Sequence, residues 1–258
     1  MIATRTISAG LCDPPQGLAW DEALVRAPVA EPTLLVWRSR PAVVIGRFQR
    51  ADWEVDAGAC ARHGVRVWRR FTGGGAVYLD PGTVCAALAL PSSHPAASAS
   101  IPQMYAPLLD GMVRACRALG ADATRDERTV RVGDRKVTGI AAHRSRDVTL
   151  VHATLLVDAD LEALRACLAG SRGGDLQGLP RPAASRPDHV ALVGGDVAAA
   201  TAAVIAALAV PGAQAGDLTA AQRESADGLR DARYRDAAWH AGPWHDVTPG
   251  EVRSVLGA

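Results

Sequence analysis

Apolar and polar positions along the chain follow two periods, one typical of strands and one typical of helices. Short runs of apolar or alternating residues predict strands at residues 33–37, 42–46, 65–68, 76–79, 84–90, 129–132, 135–140 and 148–157. Helical spacing predicts helices at residues 18–25, 52–63, 104–119, 161–168, 197–208 and 219–229. Because helices and strands are mixed without strict alternation, we expect an α+β fold built on a mixed β-sheet.

Composition limits the kind of protein that these elements can build. The chain has 258 residues, enough to bury a sizeable core, and its formal charge of +1 argues against broad binding to nucleic acid or membrane surfaces. No apolar run reaches the length of a membrane-spanning helix. The five cysteines are widely spaced and form no disulfide or zinc motif. We therefore expect a cytoplasmic protein with reduced thiols.

Residues 69–80 contain three consecutive glycines between two predicted strands. Glycine lacks Cβ and tolerates positive φ, so the backbone N–H groups of Gly73, Gly74 and Gly75 can approach a ligand closely. Arg70 precedes them and offers a planar guanidinium to a carboxylate or phosphate. The segment predicts an anion site, although a hairpin turn with a solvated arginine pair is an equal alternative on spacing alone. It is neither a P-loop nor a dinucleotide fingerprint, because no Gly-Lys-Ser/Thr follows and a strand comes next.

Lys136 is the only lysine among 28 basic residues, and the other 27 are arginines. A bias this strong towards arginine would have replaced a lysine that merely carries surface charge. An ammonium concentrates three donors on one point, whereas a guanidinium spreads its donors over a plane. We therefore predict that Lys136 serves chemistry that arginine cannot perform, with chance survival on an exposed hairpin as the alternative.

These motifs, in their order along the chain, resemble the lipoate–protein ligase family. Residues 69–82 resemble its glycine-rich signature, and residues 46–49 resemble the segment before it. Residues 135–141 resemble the strand that carries the family's essential lysine, and residues 152–156 are similar to a His-Gly-Thr-Leu-Leu segment that follows. The resemblance covers about residues 34–240.

The resemblance implies a fold shared with biotin–protein ligases and related to class II tRNA synthetases. It implies one catalytic domain over residues 1–258, without a C-terminal accessory domain. Lipoate or octanoate would react with ATP and Mg²⁺ to give an acyl-adenylate, and the acyl group would pass to a lysine of a lipoyl-domain protein. A separate accessory subunit is a further expected partner, whereas nucleic acid and membrane are not.

Site residues follow from the same resemblance. Lys136 would be catalytic, contacting the acyl carbonyl and the α-phosphate. The ATP and acyl-adenylate site would comprise Lys136, Arg70, Thr72, Gly73, Gly74, Gly75, Ala76, Val77 and Tyr78. The acyl-pocket candidates are Gly46, Arg47 and His152, and the metal ligands are left open. Small-residue loops at 91–100 and 170–187 are candidates for a mobile cover that keeps water from the adenylate.

The sequence departs from the family pattern at positions that bear on activity. Leu79 stands where the family carries a histidine, which removes a polar group beside the predicted site. Two alternatives therefore stay open. One is an octanoyl or lipoyl transferase of the same fold that works through a cysteine thioester, with Cys85 as its candidate nucleophile. The other is a non-catalytic protein that binds a lipoyl domain or an acyl-nucleotide.

Overall fold

The structure is a computed structural model, and it describes residues 1–168 and 189–241. The strands are β1 (Ala3–Cys12), β2 (Thr33–Ser39), β3 (Ala42–Ile45), β4 (Arg66–Arg69), β5 (Val77–Leu79), β6 (Thr83–Pro91), β7 (Ala123–Arg125), β8 (Val130–Val132), β9 (Arg135–Lys136), β10 (Thr138–Arg144), β11 (Val148–Leu156) and β12 (Ala209–Gly216). The helices are α1 (Pro14–Arg26), α2 (Ala51–Glu54), α3 (Ala57–Arg62), α4 (Ile101–Ala118), α5 (Leu161–Cys167), α6 (Val197–Leu208), α7 (Ala220–Leu229) and α8 (Ala237–Ala241).

A six-stranded mixed sheet forms the centre of the fold, with the strand order β10-β11-β6-β2-β1-β12. Neighbours from β10 to β2 pair in antiparallel fashion, whereas β1 is parallel to both β2 and β12. Helices cover both faces of this sheet. The mixed sheet flanked by helices confirms the fold class that the sequence predicts.

The strand β6 explains how the two faces are filled. All nine of its residues are buried, and successive side chains point to opposite faces of the sheet. Val84, Ala86 and Leu88 join the core under α4 and α6, while Cys85 and Ala87 join the core against α1 and α7. A strand buried on both faces is apolar at every position, which accounts for the unbroken apolar run in the sequence.

A small second sheet carries the glycine segment. In its order β4-β3-β5, β3 pairs in parallel with β4 and in antiparallel fashion with β5. The glycines therefore connect two strands that lie on opposite sides of β3, and they do not close a hairpin. Arg69 and Arg70 are only 1% and 5% exposed, so the alternative of a solvated arginine pair is also wrong.

A third sheet, β7-β8-β9, holds the lysine hairpin. Gly133 turns the chain with φ +61°, and Lys136 follows just past the turn, as the sequence predicts. The single strand predicted at residues 135–140 is wrong in one respect, because it divides at Val137. β9 pairs with β8, whereas β10 pairs with β11 in the central sheet, so the hairpin joins the small sheet to the large one.

The single helix predicted at residues 52–63 is wrong, because the structure has two short helices, α2 and α3. Val55 between them is extended and buried. Asp56 accepts a hydrogen bond from the Ala59 N–H at 2.7 Å, so it begins a new helix as its N-cap. Gly64 follows α3 with φ +64°, which confirms its predicted place after a helix end.

Three strands, β1, β7 and β12, were not predicted from the sequence pattern, and two of them, β1 and β12, lie in the parallel part of the central sheet. β12 is an edge strand whose residues are largely exposed and include Pro211 and Gly212, so it lacks an apolar signature. β1 is half-buried with mixed polar and small residues. Both are defined by pairing with distant segments rather than by local propensity.

The two predicted cover loops and the end of the described chain complete the fold. Of the two predicted cover loops, residues 170–187 lie outside the described residues. Residues 91–100 are anchored, since Thr149 Oγ1 donates to the Ala97 carbonyl at 2.9 Å and the Ser92 N–H donates to the Asp147 carbonyl at 2.8 Å. Tyr234 is fully buried near the end of the described chain. Across residues 1–168 and 189–241, no helix combines the length and apolarity required to cross a membrane.

Candidate active site

A pocket opens where α1, the central sheet and the small β4-β3-β5 sheet meet. The space open to the centre of a water molecule is about 60 Å³, and the pocket continues into open solvent at its mouth. Its polar lining includes Asp21, Arg70, Lys136, His152 and Thr154. Its apolar lining includes Leu18, Trp37, Val44, Val77, Leu79, Cys85 and Ala86. The pocket therefore combines cations with an apolar wall.

The glycine segment forms one wall of this pocket through Gly75 and Ala76. Gly74 adopts φ +84°, and a Cβ on it would lie 2.9 Å from Arg70 Nη2. Gly46 packs directly behind, because a Cβ there would lie only 2.1 Å from the Gly74 carbonyl oxygen. Backbone meets backbone at this point, so side chains are excluded from both segments.

Arg70 organises the same turn from within. Its Nε donates to Thr72 Oγ1 at 3.0 Å, and its Nη2 donates to the Gly75 carbonyl at 2.8 Å. The Gly73 carbonyl accepts from both Nε and Nη2, and Nη1 donates to the Val44 carbonyl at 3.1 Å. Burial lowers the pKa of the guanidinium to about 10. Arg70 thus holds the curved backbone that faces the pocket.

A chain of buried polar groups continues from this arginine to α1. His152 Nε2 lies 2.8 Å from Thr72 Oγ1, and His152 Nδ1 lies 2.7 Å from Asp21 Oδ2. The other Asp21 oxygen accepts from Trp37 Nε1 at 2.9 Å. Because a carboxylate oxygen accepts, the hydrogen bond between this ring and α1 is donated by His152 Nδ1. These bonds tie α1, β2 and β11 to the glycine turn.

Lys136 reaches the pocket from β9 and is half-buried. Burial lowers the pKa of its ammonium; its cross-strand neighbour Arg131 lowers it further, and Asp126 opposes the shift. Arg131 is itself held by Asp126 and by the Asp134 carbonyl, at 3.4 and 3.0 Å. Nothing among residues 1–168 and 189–241 hydrogen-bonds to Lys136 Nζ, so its donors are available to a ligand.

The structure brings only part of the predicted site to the pocket surface. Arg70, Gly75, Ala76, Val77, Lys136 and His152 line it. Thr72, Gly73, Gly74 and Gly46 lie behind the wall and shape it. Tyr78 points the other way, into the core against α3 and α5, because alternate residues of β5 face opposite sides. Arg47 is exposed, and its backbone N–H donates to the Thr72 carbonyl at 2.8 Å.

Several lining residues were not predicted from the sequence. Asp21 is a carboxylate inside an amphipathic helix, and only the structure shows that it is buried, at 3% exposure. Its partner His152 lies far along the chain, so spacing could not reveal the contact. Gly139 stood in the lysine motif without an assigned role; a Cβ there would lie 2.9 Å from Val77 Cγ1, across the pocket wall.

Comparison with known proteins identifies the class of this domain. A model of the lipoyl protein ligase A/B catalytic domain matches residues 13–191, so the chain belongs to that family. The resemblance found in the sequence is thereby confirmed. Lipoate-protein ligase A subunit 1 of Thermoplasma acidophilum is 33% identical over 164 residues, which cover 58% of this chain. The aligned region spans 61% of that relative's own length.

Three solved structures share nearly the whole described fold. A T. acidophilum lipoate protein ligase with bound lipoic acid has a TM-score of 0.78 and 25% identity, and the match covers 93% of this chain and 99% of that one. A lipoate-protein ligase A bound with ATP has a TM-score of 0.77 and 26% identity, with coverage of 94% and 99%. A structure from an archaeal lipoylation system, described as a bipartite lipoate protein ligase and its E2 lipoyl domain from T. acidophilum, has a TM-score of 0.78 and 27% identity, with coverage of 94% and 97%.

Proposed function

We propose that this chain is a lipoate–protein ligase that activates lipoate or octanoate with ATP and transfers the acyl group to a lysine of a lipoyl-domain protein. One observation carries the proposal: Lys136 and the glycine turn, from separate elements, line one pocket together with an apolar wall. Related structures solved with lipoic acid and with ATP support it.

In the first step, a carboxylate oxygen of the acid attacks the α-phosphorus of ATP. The bond from that phosphorus to the bridging oxygen breaks, and pyrophosphate leaves with the electron pair. Negative charge grows on the non-bridging oxygens, and the Lys136 ammonium with the backbone donors of the glycine turn would stabilise it. Because Arg70 already fixes that turn, little reorganisation is needed as the charge develops.

The acyl chain would lie against the apolar lining. Leu18, Trp37 and Leu79 supply an apolar surface, and burying it stabilises a chain of methylene groups by about 0.8 kcal/mol for each. Leu79 therefore adds to acyl binding where the family carries a histidine. His152 and Asp21 place a polar pair in the same wall, so His152 keeps its place as an acyl-pocket candidate.

In the second step, the ε-amine of an acceptor lysine attacks the acyl carbonyl carbon. The bond from that carbon to the phosphate oxygen breaks, AMP leaves, and the amine loses a proton as the amide forms. The acceptor is proposed to be a lipoyl domain, and an accessory subunit is proposed as a second partner. Both proposals draw support from the T. acidophilum lipoylation system, which is described as a bipartite lipoate protein ligase and its E2 lipoyl domain.

Magnesium would accompany the nucleotide. Over residues 1–168 and 189–241 there is no cluster of three or more metal-ligating side chains, so a Mg²⁺ cage made by this part of the chain does not fit. Mg²⁺ commonly keeps several waters and is bound through substrate phosphates with few protein carboxylates. The steps above therefore assign no role to a protein-bound metal.

A thioester route through Cys85 is the alternative that the pocket raises, because this thiol lies in its lining. Burial raises the pKa of Cys85 well above its ordinary value, and nearby Asp21 acts in the same direction. A nucleophilic cysteine needs the opposite shift, towards thiolate. The ligase reaction is therefore favoured over the transferase.

The proposal is tested by incubating the protein with ATP, Mg²⁺, lipoate or octanoate, and a purified lipoyl domain, followed by intact-mass analysis of that domain. We expect one acyl adduct that depends on ATP and disappears when the acceptor lysine is replaced. A Cys85→Ala variant serves as the control for the thioester route and should retain the ATP-dependent adduct. An adduct that forms from an acyl-carrier thioester without ATP, and is lost in Cys85→Ala, would establish the transferase instead.

A further inference from the structure

Arg69 is the most unusual buried group outside the pocket lining. It is 1% exposed, and none of the described carboxylates pairs with it. Its guanidinium donates instead to main-chain carbonyls of two segments that are distant in sequence. Nη1 bonds Gly46, Arg47 and Gln49 at 3.1, 2.9 and 2.6 Å. Nε bonds Trp239 at 3.2 Å, and Nη2 bonds His240 and Ala241 at 3.0 and 3.4 Å.

The backbone of the same residue is held by the same distant segment. The Arg69 N–H donates to His240 Nδ1 at 2.9 Å, and Trp239 Nε1 donates to the Arg69 carbonyl at 2.8 Å. His240 Nε2 lies 3.0 Å from the Tyr234 carbonyl, so Nε2 carries the proton and Nδ1 accepts. The His240 ring also packs edge-on against Trp68, with ring centroids 5.0 Å apart.

Residues 46–49 in turn support the glycine turn. The Arg47 N–H donates to the Thr72 carbonyl at 2.8 Å, and the Arg70 N–H donates to the Ile45 carbonyl at 3.0 Å. Gly46 touches the Gly74 carbonyl directly. A displacement of residues 46–49 would therefore move the turn that faces the pocket.

We propose that Arg69 is a positioning residue for the reaction, which makes the glycine turn depend on residues 239–241. These C-terminal residues lie outside the region matched by the family model, which ends at residue 191. The expected effect of Arg69 on catalysis rests on the proposed function. The hydrogen-bonded connection between residues 239–241 and the glycine turn does not depend on that function. Arginine is required because its five donors serve carbonyls on two segments, and an ammonium has only three donors at one point.

Amide hydrogen exchange of the full chain tests the link without any need for activity. His240→Leu removes the acceptor for the Arg69 N–H, whereas His240→Asn keeps an oxygen close to the Nδ1 position. Arg235→Ala is the matched control, since Arg235 is exposed in the same segment and pairs with Asp231. In His240→Leu we expect amides of residues 45–49 and 70–76 to exchange about tenfold faster, with β6 unchanged.

The companion variants decide whether the effect is positional. His240→Asn should restore most of the protection, Arg69→Lys should lose it, and Arg235→Ala should match the wild type. ATP and acyl-acid KM values should rise in His240→Leu and return towards wild type in His240→Asn. Unchanged exchange at residues 45–49 and 70–76 in His240→Leu overturns the proposal. Equal acceleration in β6 also overturns it, because that result means general destabilisation. If the wild type shows no ligase activity, the proposed function fails while the exchange result stands on its own.

Discussion

The two cations in the pocket lining, Arg70 and Lys136, differ in whether neighbouring residues already accept their hydrogen bonds. Arg70 donates to the Thr72 hydroxyl and to the carbonyls of Gly75 and Val44. Its contribution is therefore to shape the backbone of the glycine turn. No described residue accepts a hydrogen bond from the Lys136 ammonium. In the proposed reaction, Lys136 would therefore contact the developing charge directly, and Arg70 would hold the glycine turn in place beforehand.

Lys136→Ala should reduce formation of the acyl-adenylate by about 10²–10³-fold, the usual effect of removing one donor from a developing oxyanion. Lys136→Arg should also be impaired by about 10²-fold, because a planar fork cannot place its donors at the same point. Chromatographic quantification of acyl-AMP measures both rates. The exposed neighbour Arg135 provides the control, and Arg135→Lys should behave as wild type. Near-normal adenylate formation by Lys136→Arg would contradict the special role of the lysine.

Gly46→Ala should destabilise the protein and weaken ATP binding together. The added Cβ meets the Gly74 carbonyl at 2.1 Å, and neither backbone can yield without moving the turn. A loss of about 1–3 kcal/mol in the free energy of unfolding is expected from such overpacking. Gly228→Ala in α7 is the control; nothing lies within 4 Å of its Cβ, so stability should rise by about 0.5–1 kcal/mol. Chemical denaturation with and without ATP measures both the stability and the stabilisation by bound ATP. If both are unchanged in Gly46→Ala, the contact between Gly46 and the Gly74 carbonyl does not constrain the turn.

At the scale of elements, Asp21 connects α1 to the central sheet through hydrogen bonds of its side chain. Its two carboxylate oxygens accept from Trp37 in β2 and from His152 in β11. Asp21→Asn replaces one acceptor with a donor, which leaves a buried N–H group facing another donor. We expect a loss of about 1–3 kcal/mol in the free energy of unfolding, measured by urea denaturation. Asp13→Asn, at an exposed ion pair with Arg40, should change it by less than about 1 kcal/mol. Equal losses in the free energy of unfolding in Asp21→Asn and Asp13→Asn would show that the buried hydrogen bonds of Asp21 do not stabilise the fold.

The contact of α8 with β4 should make stability sensitive to acid. Burial lowers the pKa of His240; Arg69 and Arg66 act in the same direction, while the Tyr234 carbonyl and Asp236 oppose it. The unfolded chain therefore binds this proton more readily than the folded protein. The stabilisation from neutral His240 is complete above the ordinary histidine pKa of about 6.5 and is lost as pH falls towards the lower folded value.

Urea denaturation across this range measures that loss. His240→Asn should reduce the loss of stability between neutral and acidic pH, since it does not titrate. If His240→Asn loses as much stability in acid as the wild type does, the neutral imidazole has no part in holding α8.

The sequence predicted what local pattern and chemistry can specify. The apolar run of β6, the hairpin before Lys136 and the backbone exposure of Gly75 follow from side-chain periodicity and the absence of Cβ. Contacts between distant segments could not be predicted in this way. Asp21 meets His152, and Arg69 meets residues 239–241, only because α1 and α8 pack against the finished sheets.

At the scale of the whole molecule, the pocket lies where three parts of the fold meet. The central sheet supplies β6, β10 and β11, the small sheet supplies the glycine turn, and the lysine hairpin supplies Lys136. The three parts share their cores. The lysine hairpin packs into the core under α4 and α6, and the small sheet divides its residues between the core against α1 and α7 and a further core with α3 and α5.

Exchange of labelled pyrophosphate into ATP tests the central claim most directly, because it reports formation and reversal of the acyl-adenylate without any acceptor protein. With the wild-type chain, ATP and Mg²⁺, we predict exchange that requires lipoate or octanoate and is absent with biotin or with no acid. A folded protein that binds ATP and either acid, yet exchanges no pyrophosphate, would contradict the account.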